Sequence, residues 1–200
     1  MSDARTVEFF FDFGSPATYL AWTQLPGLCA AAGATLVYRP MLVGAVFKAT
    51  GNASPITIPA KGRWVIEDLA RYARRYGVPL ALNPHFPVNT LLPMRVATGV
   101  QRERPGEFAA VLAAVFRAMW VEKQDIGDPS VLAAVVAGAG LDAASLLALA
   151  ERQDVKDALK ANTEEAIRRG AFGAPTMFVG DTMYFGQDRL EFVREALQRR

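Results

Sequence analysis

The segment that most constrains the fold is an apolar run that ends in a serine and a proline. Val7–Phe13 is rich in phenylalanine, Gly14 provides a turn, and Ser15-Pro16 precedes the apolar stretch Tyr19–Trp22. Aromatic and β-branched runs favour strands, whereas serine at an N-cap and proline at the first helical position favour a helix start. The segment therefore predicts a strand, a tight loop and a helix whose N-terminus carries a hydroxyl group.

The next elements predict a βαβ unit. A first helix is expected over residues 16–32, with a break or kink at Pro26-Gly27 and a C-cap at Gly33. Residues 35–39 are predicted to form a second strand. Because a single helix separates the two strands, they are expected to be parallel.

The middle of the chain shows apolar residues at helical spacing, and strand character returns near its end. Further helices are predicted around residues 65–76, 89–100, 105–119, 129–138 and 155–167. Asp128 is expected to cap the helix at 129–138, and Asp142 to cap a short helix after it. Pro175–Val179 and Thr182–Phe185 are predicted to form a hairpin that turns at Gly180-Asp181, and a final amphipathic helix follows.

This order of elements predicts an α/β fold: a thioredoxin-like βαβ…ββα core that carries a large all-helical insertion. We assign residues 1–42 and 171–200 to the thioredoxin-like domain and residues 43–170 to the helical insertion domain.

Composition narrows the function. The chain has 200 residues, 52% of them hydrophobic, which suits a compact core, and its net charge of +2 gives no electrostatic reason to expect nucleic acid or a membrane surface as a partner. No apolar run reaches the length of a membrane span, and the first six residues lack signal-peptide features. These features, with a single cysteine, favour a cytoplasmic protein.

The reactive side chains are few. Cys29 is the only cysteine and lies inside a predicted helix, so a buried apolar role is favoured over a nucleophilic one. His85 is the only histidine, which argues against a zinc site or a histidine-based triad. No metal site is therefore predicted.

Three separated segments together resemble one family. They are Phe11–Pro16, then Gly51–Pro55 with Pro59–Gly62, and then Gly170–Thr176 running on to Phe185–Leu190. In this order they are similar to the 2-hydroxychromene-2-carboxylate isomerases and to their relatives, the kappa-class glutathione transferases. The resemblance spans essentially the whole chain and implies a DsbA-like arrangement. Ser15 and Thr18 then stand where a thioredoxin-like fold carries Cys-x-x-Cys.

The resemblance also implies a glutathione site. Ser15 is expected to face the glutathione sulfur as an orienting donor, because a hydroxyl and free N–H groups at a helix N-terminus favour a thiolate. Ala174-Pro175 is expected to form a cis-proline turn whose outward N–H and C=O groups pair with the tripeptide. Further glutathione contacts are expected from Asn52, Lys61, Gln187 and Asp188.

Simpler roles stay open for these residues. Ser15 is also typical of a helix cap without chemistry, Asn52 of a Gly-Asn turn and Asp188 of an ordinary acid at a helix start. Lys61 and Lys48 are also typical of solvated lysines, although Lys48 is the basic residue nearest to the region that binds the substrate carboxylate in the family.

The predicted function is glutathione-dependent cis–trans isomerisation of the 2-hydroxychromene-2-carboxylate type, on an aromatic small molecule from ring degradation, by a homodimer. Relatives often have an aromatic residue where Ala17 stands, so a wider pocket or a missing stacking surface is expected here. A kappa-like glutathione transferase or peroxidase is one alternative. A non-catalytic thioredoxin-fold protein that binds peptides is another, whereas a disulfide oxidoreductase is disfavoured because Cys29 has no partner.

Overall fold

A four-stranded mixed sheet organises the part of the chain, residues 5–198, that the computed structural model describes. Its strand order is β2 (Thr35–Pro40), β1 (Thr6–Phe11), β3 (Thr176–Val179) and β4 (Thr182–Phe185). β1 runs parallel to β2 and antiparallel to β3, and β3 and β4 form the hairpin. The predicted βαβ unit, the closing hairpin and the α/β class are confirmed. Predictions for residues 1–4 and 199–200 lie outside the described residues.

The first helix, α1, covers Pro16–Ala32 and has the caps predicted for it. The Ser15 hydroxyl accepts a hydrogen bond from the Thr18 N–H, and Gly33 ends the helix in the left-handed conformation, with φ of 62°. Of the predicted break or kink at Pro26-Gly27, the break is wrong, because α1 runs unbroken through Pro26. The helix buries Leu25 and Cys29 on either side of that proline, and this packing outweighs the loss of one backbone hydrogen bond.

Helices fill the chain between β2 and β3. In order they are α2 (Val43–Thr50), α3 (Pro59–Tyr76), α4 (Leu91–Glu103), α5 (Phe108–Trp120), α6 (Pro129–Gly138), α7 (Ala143–Glu151) and α8 (Gln153–Arg168), with α9 (Leu190–Gln198) after β4. Single 3-10 turns cover Pro55–Thr57, Pro105–Glu107 and Gln187–Arg189. Asp128 and Asp142 cap α6 and α7 through their carboxylates, as the sequence predicts.

The two faces of the sheet pack against different helices. On one face, Phe9 and Phe11 belong to a large core that includes residues of α1, α4 and α5. On the other face, Phe10 and Phe178 pack with Val46 of α2 and Ala166 of α8. The helices between residues 43 and 170 therefore cover both faces of the sheet. The division into a thioredoxin-like domain and an insertion domain stays a prediction.

One hydrogen bond from these helices anchors the loop between β1 and α1. The Trp120 indole Nε1–H, at the end of α5, donates to the carbonyl oxygen of Phe13 at 2.8 Å, and this bond is buried. Phe13 lies two residues before Ser15, so α5 helps to set the start of α1. No helix within residues 5–198 combines the length and the apolar character needed to cross a membrane.

We predict that Trp120→Phe lowers the free energy of unfolding by about 1–3 kcal/mol, because the buried Phe13 carbonyl loses its donor. Urea unfolding followed by far-UV circular dichroism measures the loss. Trp64→Phe is the matched control: Trp64 is 60% exposed, so its replacement should change stability by less than about 0.5 kcal/mol. Equal effects of the two substitutions would contradict the role given to the Phe13 bond.

Candidate active site

Ser15 lies half-buried at the N-terminus of α1, where its hydroxyl makes two hydrogen bonds. Its Oγ accepts from the Thr18 N–H at 3.1 Å and donates to the carbonyl oxygen of Ala174 at 3.0 Å. The Ala17 N–H has no acceptor within the described residues, and the first turn of α1 contains no acidic side chain. A helix N-terminus with a free N–H and no competing carboxylate favours an anion.

The Ala174–Pro175 peptide bond is cis, as the resemblance implied. The structure adds one detail to the expectation: the Ala174 carbonyl oxygen accepts the Ser15 hydroxyl, so one of its two lone pairs is already used. The expectation placed both polar groups of Ala174 outward and did not include the loop before α1, which approaches the proline turn to hydrogen-bonding distance.

Asn52 follows α2 and links it to the loop before β3. Its side-chain Nδ2 donates to the carbonyl oxygen of Phe172 at 2.7 Å, while Oδ1 accepts from the Ala53 N–H at 2.8 Å. Gly51 takes the left-handed conformation before it, with φ of 71°. Asn52 therefore combines the turn role with a contact to a second segment of the predicted site.

Asp12 is a member of the site to which the sequence analysis gave no role. Its side chain is fully buried, with Oδ1 accepting from the Gly14 N–H at 2.9 Å and Oδ2 from the Val43 N–H at 2.8 Å. The Thr90 side chain lies beside the same turn as this carboxyl group. Burial raises the pKa of Asp12, while the two main-chain hydrogen bonds and the Thr90 hydroxyl oppose that rise. A carboxylate among phenylalanines is the sequence signal that could have identified it.

These hydrogen bonds connect the first and second sequence segments to the third, and a further bond connects the first segment to α2, which leads to the second. Asp12 connects the segment before α1 to the start of α2, and Ser15 connects the same segment to Ala174. Asn52, after the end of α2, connects to Phe172 and so completes the set. The structure thus brings Ser15, Asn52 and the Ala174–Pro175 turn into one cluster.

Gln187 and Asp188 lie next to this cluster, just beyond β4. The Gly186 N–H donates to the Pro175 carbonyl at 3.0 Å, which places the following residues beside the proline turn. Gln187 is buried, and both its main-chain oxygen and its Oε1 accept from the Tyr76 hydroxyl, at 3.1 and 3.2 Å. Burial raises the pKa of Tyr76 to about 12, so this hydroxyl stays protonated at neutral pH. Asp188 is exposed and pairs with Arg189.

A cavity of about 510 Å³ begins at Gln187 and Asp188 and extends between α1, α3 and α9. Its wall includes Tyr72, Tyr76 and Arg194 but not Ser15, Asn52 or Ala174. Five of the predicted positions therefore divide between two places: Ser15, Asn52 and Ala174 belong to the Ser15 cluster, whereas Gln187 and Asp188 line this cavity.

The two predicted lysines are not fixed on the Ser15 cluster. Lys48 lies in the last turn of α2 and Lys61 in the first turn of α3, and both are exposed. Neither ammonium group forms an ion pair or hydrogen bond within residues 5–198. His85 is exposed and faces Asp125 at 3.9 Å. No cluster of three or more metal-ligating side chains occurs among the described residues.

Neither Thr18 nor Cys29 provides a reactive thiol. Thr18, at the second position of the lost Cys-x-x-Cys pattern, is fully buried, and its hydroxyl has no partner in the described part of the chain. Cys29 is 2% exposed, and burial raises the pKa of its thiol to about 11. The described part of the site therefore has no reactive thiol of its own.

Comparison with known proteins agrees with this geometry. Residues 6–198 match the model of the DSBA-like thioredoxin domain. The chain belongs to this family. It is 31% identical to the 2-hydroxychromene-2-carboxylate isomerase of Sphingobium xenophagum, over 96% of this chain and 98% of that protein. It is 32% identical to glutathione S-transferase kappa 1 of Homo sapiens, over 96% of this chain and 91% of that protein.

A solved structure shows the same likeness in three dimensions. The structure of a 2-hydroxychromene-2-carboxylate isomerase, 31% identical in sequence, superposes with a TM-score of 0.83 over 97% of this chain and 95% of its own. The resemblance drawn from the three sequence segments and the predicted DsbA-like thioredoxin fold are confirmed.

We predict that Cys29 of the folded protein reacts with iodoacetamide at pH 8 at least about 100-fold more slowly than in the unfolded chain. With a pKa of about 11, only about one thiol in a thousand is ionised at that pH, and the side chain is buried. Mass spectrometry of the time course measures the rate, and the same reaction in guanidinium chloride is the control. Rapid alkylation of the folded protein would contradict the inert role of Cys29.

Proposed function

We propose that this member of the DSBA-like thioredoxin family is a glutathione-dependent cis–trans isomerase of the 2-hydroxychromene-2-carboxylate type. The observation that carries the proposal is the pair of donors at the start of α1, the Ser15 hydroxyl and the unpaired Ala17 N–H, in a chain without a reactive thiol nearby. The whole-length identity to enzymes with this name supports the choice of reaction.

The arrangement of the site fits a tripeptide. An extended tripeptide spans roughly 10 Å. Ser15 contacts Ala174, the next residue Pro175 pairs with Gly186, and Asp188 follows two residues later. Asp188 would hold the γ-glutamyl ammonium group, and the N–H groups at the start of α9 its carboxylate. Asn52, Lys61 and Gln187 would contribute further contacts to the tripeptide.

Binding would rearrange one hydrogen bond. Ser15 has a single hydroxyl proton, which it donates to Ala174 in this structure. When that proton turns towards a thiolate, the Ala174 carbonyl becomes free to accept a main-chain N–H of the tripeptide, as in an added strand. One rotation of the Ser15 hydroxyl thus prepares two contacts.

In the proposed reaction, the protein mainly binds and orients glutathione and the substrate. Bound glutathione supplies a thiolate that adds reversibly to a conjugated double bond and so permits rotation about it. Ser15 and the Ala17 N–H stabilise negative charge and orient the sulfur, and no histidine lies at Ser15 to make it a nucleophile. Lys48 would pair with the substrate carboxylate, and the small Ala17 side chain would leave room for the ring system.

One alternative has direct support. The identity to human glutathione S-transferase kappa 1 favours a kappa-like transferase or peroxidase as the second candidate. Mixing the protein with glutathione and the hydroxychromene, and separately with an aryl halide or a hydroperoxide, distinguishes these activities. Calorimetry with free glutathione tests the third candidate, a non-catalytic peptide-binding protein, which would show no measurable affinity.

The assembly and cellular setting are further parts of the proposal. We propose a cytoplasmic homodimer that acts on an intermediate of aromatic-ring degradation, with the thioredoxin-like domain at residues 1–42 and 171–200. Sedimentation equilibrium tests the dimer, and a monomer at micromolar concentration would contradict it.

We predict that Ser15→Ala lowers kcat for isomerisation roughly 10–100-fold, because the thiolate loses a preorganised donor. The pKa of the bound glutathione thiol should rise, which a pH titration of thiolate absorbance in the complex measures. Ser15→Thr, which keeps the hydroxyl, should recover most of the rate.

The control separates this effect from loss of the helix cap, which by itself costs about 1 kcal/mol of stability. Asp142→Ala removes the N-cap of α7 and should leave kcat unchanged. An unchanged rate in Ser15→Ala would remove Ser15 from the mechanism.

We predict that Asp188→Asn weakens glutathione binding about tenfold, because the γ-glutamyl ammonium group loses a charged acceptor. An analogue of glutathione without the γ-glutamyl amino group should bind both proteins equally in calorimetry. Asp181→Asn, which removes the same charge from the exposed turn between β3 and β4, is the control and should not change the affinity. Equal losses for both ligands would show that Asp188 does not contact the ammonium group.

A further inference from the structure

Asp12 is a buried carboxyl group without a cationic partner. Its side chain is fully buried and forms no ion pair within residues 5–198, so its ordinary partners are two main-chain N–H groups and a hydroxyl. Burying an acid costs free energy unless its oxygens are hydrogen-bonded. Both carboxyl oxygens of Asp12 accept a main-chain N–H, one from Gly14 before α1 and the other from Val43 at the start of α2.

The main-chain groups that donate to Asp12 show which parts of the chain this residue connects. The Gly14 N–H lies immediately before Ser15, and the Ser15 N–H itself donates to the main-chain oxygen of Asp12 at 3.2 Å. Val43 is the first residue of α2, the helix that leads to Asn52. Thr90, the residue before α4, is the third group beside the Asp12 carboxyl group.

The turn between Asp12 and Ser15 leaves little space for another arrangement. A methyl group on Gly14 would lie 3.1 Å from Thr90 Cγ2 and 3.3 Å from Asp12 Oδ1. The turn is therefore packed on the side that the carboxyl group occupies, and Asp12 defines its geometry with both its side chain and its main chain.

We propose that Asp12 is a positioning residue that sets the direction of the Ser15 hydroxyl and the Ala17 N–H towards the bound thiolate. This role rests on the proposed glutathione chemistry. A carboxyl group is needed because Oδ1 and Oδ2 each accept from a main-chain N–H. An amide of the same shape has only one acceptor oxygen. Its NH2 group must therefore face the main-chain N–H of either Gly14 or Val43, which loses its acceptor.

The test compares Asp12→Asn with Thr163→Val. Thr163 Oγ1 accepts from the Leu42 N–H, one residue before Val43, so Thr163→Val removes a hydrogen bond at the same helix start without touching the turn at Ser15. We expect Asp12→Asn to lower kcat at least tenfold while the KM for glutathione changes less than threefold, and Thr163→Val to keep kcat within twofold. Equal losses of kcat in both variants, or an unchanged kcat in Asp12→Asn, would overturn the proposal.

A second measurement does not depend on activity. Hydrogen exchange of the Gly14 and Ser15 amides, read by NMR, should become at least tenfold faster in Asp12→Asn and stay unchanged in Thr163→Val. Unchanged exchange in Asp12→Asn would overturn the positioning role even if the isomerase assay succeeds. If the wild-type protein shows no glutathione-dependent activity, the proposed function fails, while exchange still decides whether Asp12 fixes the turn.

A milder variant keeps the proposal testable if Asp12→Asn folds poorly. Thr90→Val keeps the carboxyl group and removes the neighbouring hydroxyl that lowers its pKa, and Thr90 makes no capping bond through its side chain. It should lower kcat about two- to fivefold and accelerate exchange at Gly14 in the same direction. No change in either quantity would contradict the proposal.

Discussion

The hydrogen bond between the Ser15 hydroxyl and the Ala174 carbonyl is the contact on which the candidate site depends. It joins residues 159 positions apart and brings the N-terminus of α1 against the cis-proline turn. Two further bonds, from Val43 to Asp12 and from Asn52 to Phe172, hold α2 and its following loop in the same assembly. A helix N-terminus alone is a common feature, and it becomes a specific site here because three segments fix what surrounds it.

Local signals in the sequence were sufficient for most of the fold. A cap forms between residues two to four positions apart, so Ser15, Asp128 and Asp142 marked helix starts, and Gly33 marked a helix end. Pro26 shows the limit of such signals. Its effect depends on whether neighbouring residues are buried, and the packing of Leu25 and Cys29 in the core keeps α1 continuous.

The parts of the site that the sequence did not reveal depend on distant partners. Asp12 contacts Val43, 31 positions away, and Tyr76 contacts Gln187, 111 positions away. No periodicity or motif pairs such residues. An acid inside a phenylalanine run signals only that some partner must exist, since a buried carboxyl group requires donors. The resemblance to a family was sufficient to predict Ser15, Asn52 and the proline turn as site residues, because they lie within recognisable segments.

The energetics of the Ser15 hydroxyl explain why its bond to Ala174 suits a site for a thiolate. A bond between neutral groups contributes about 0.5–1.5 kcal/mol, whereas one to a charged group contributes about 1.5–3 kcal/mol. The hydroxyl therefore gains when it leaves the Ala174 carbonyl for a thiolate, and it gains little when it leaves for a neutral thiol. Before binding, the same bond keeps the hydroxyl oriented and the carbonyl satisfied. In the proposed complex, this exchange of hydrogen bonds would favour the ionised sulfur over the protonated one without a cationic side chain fixed beside Ser15.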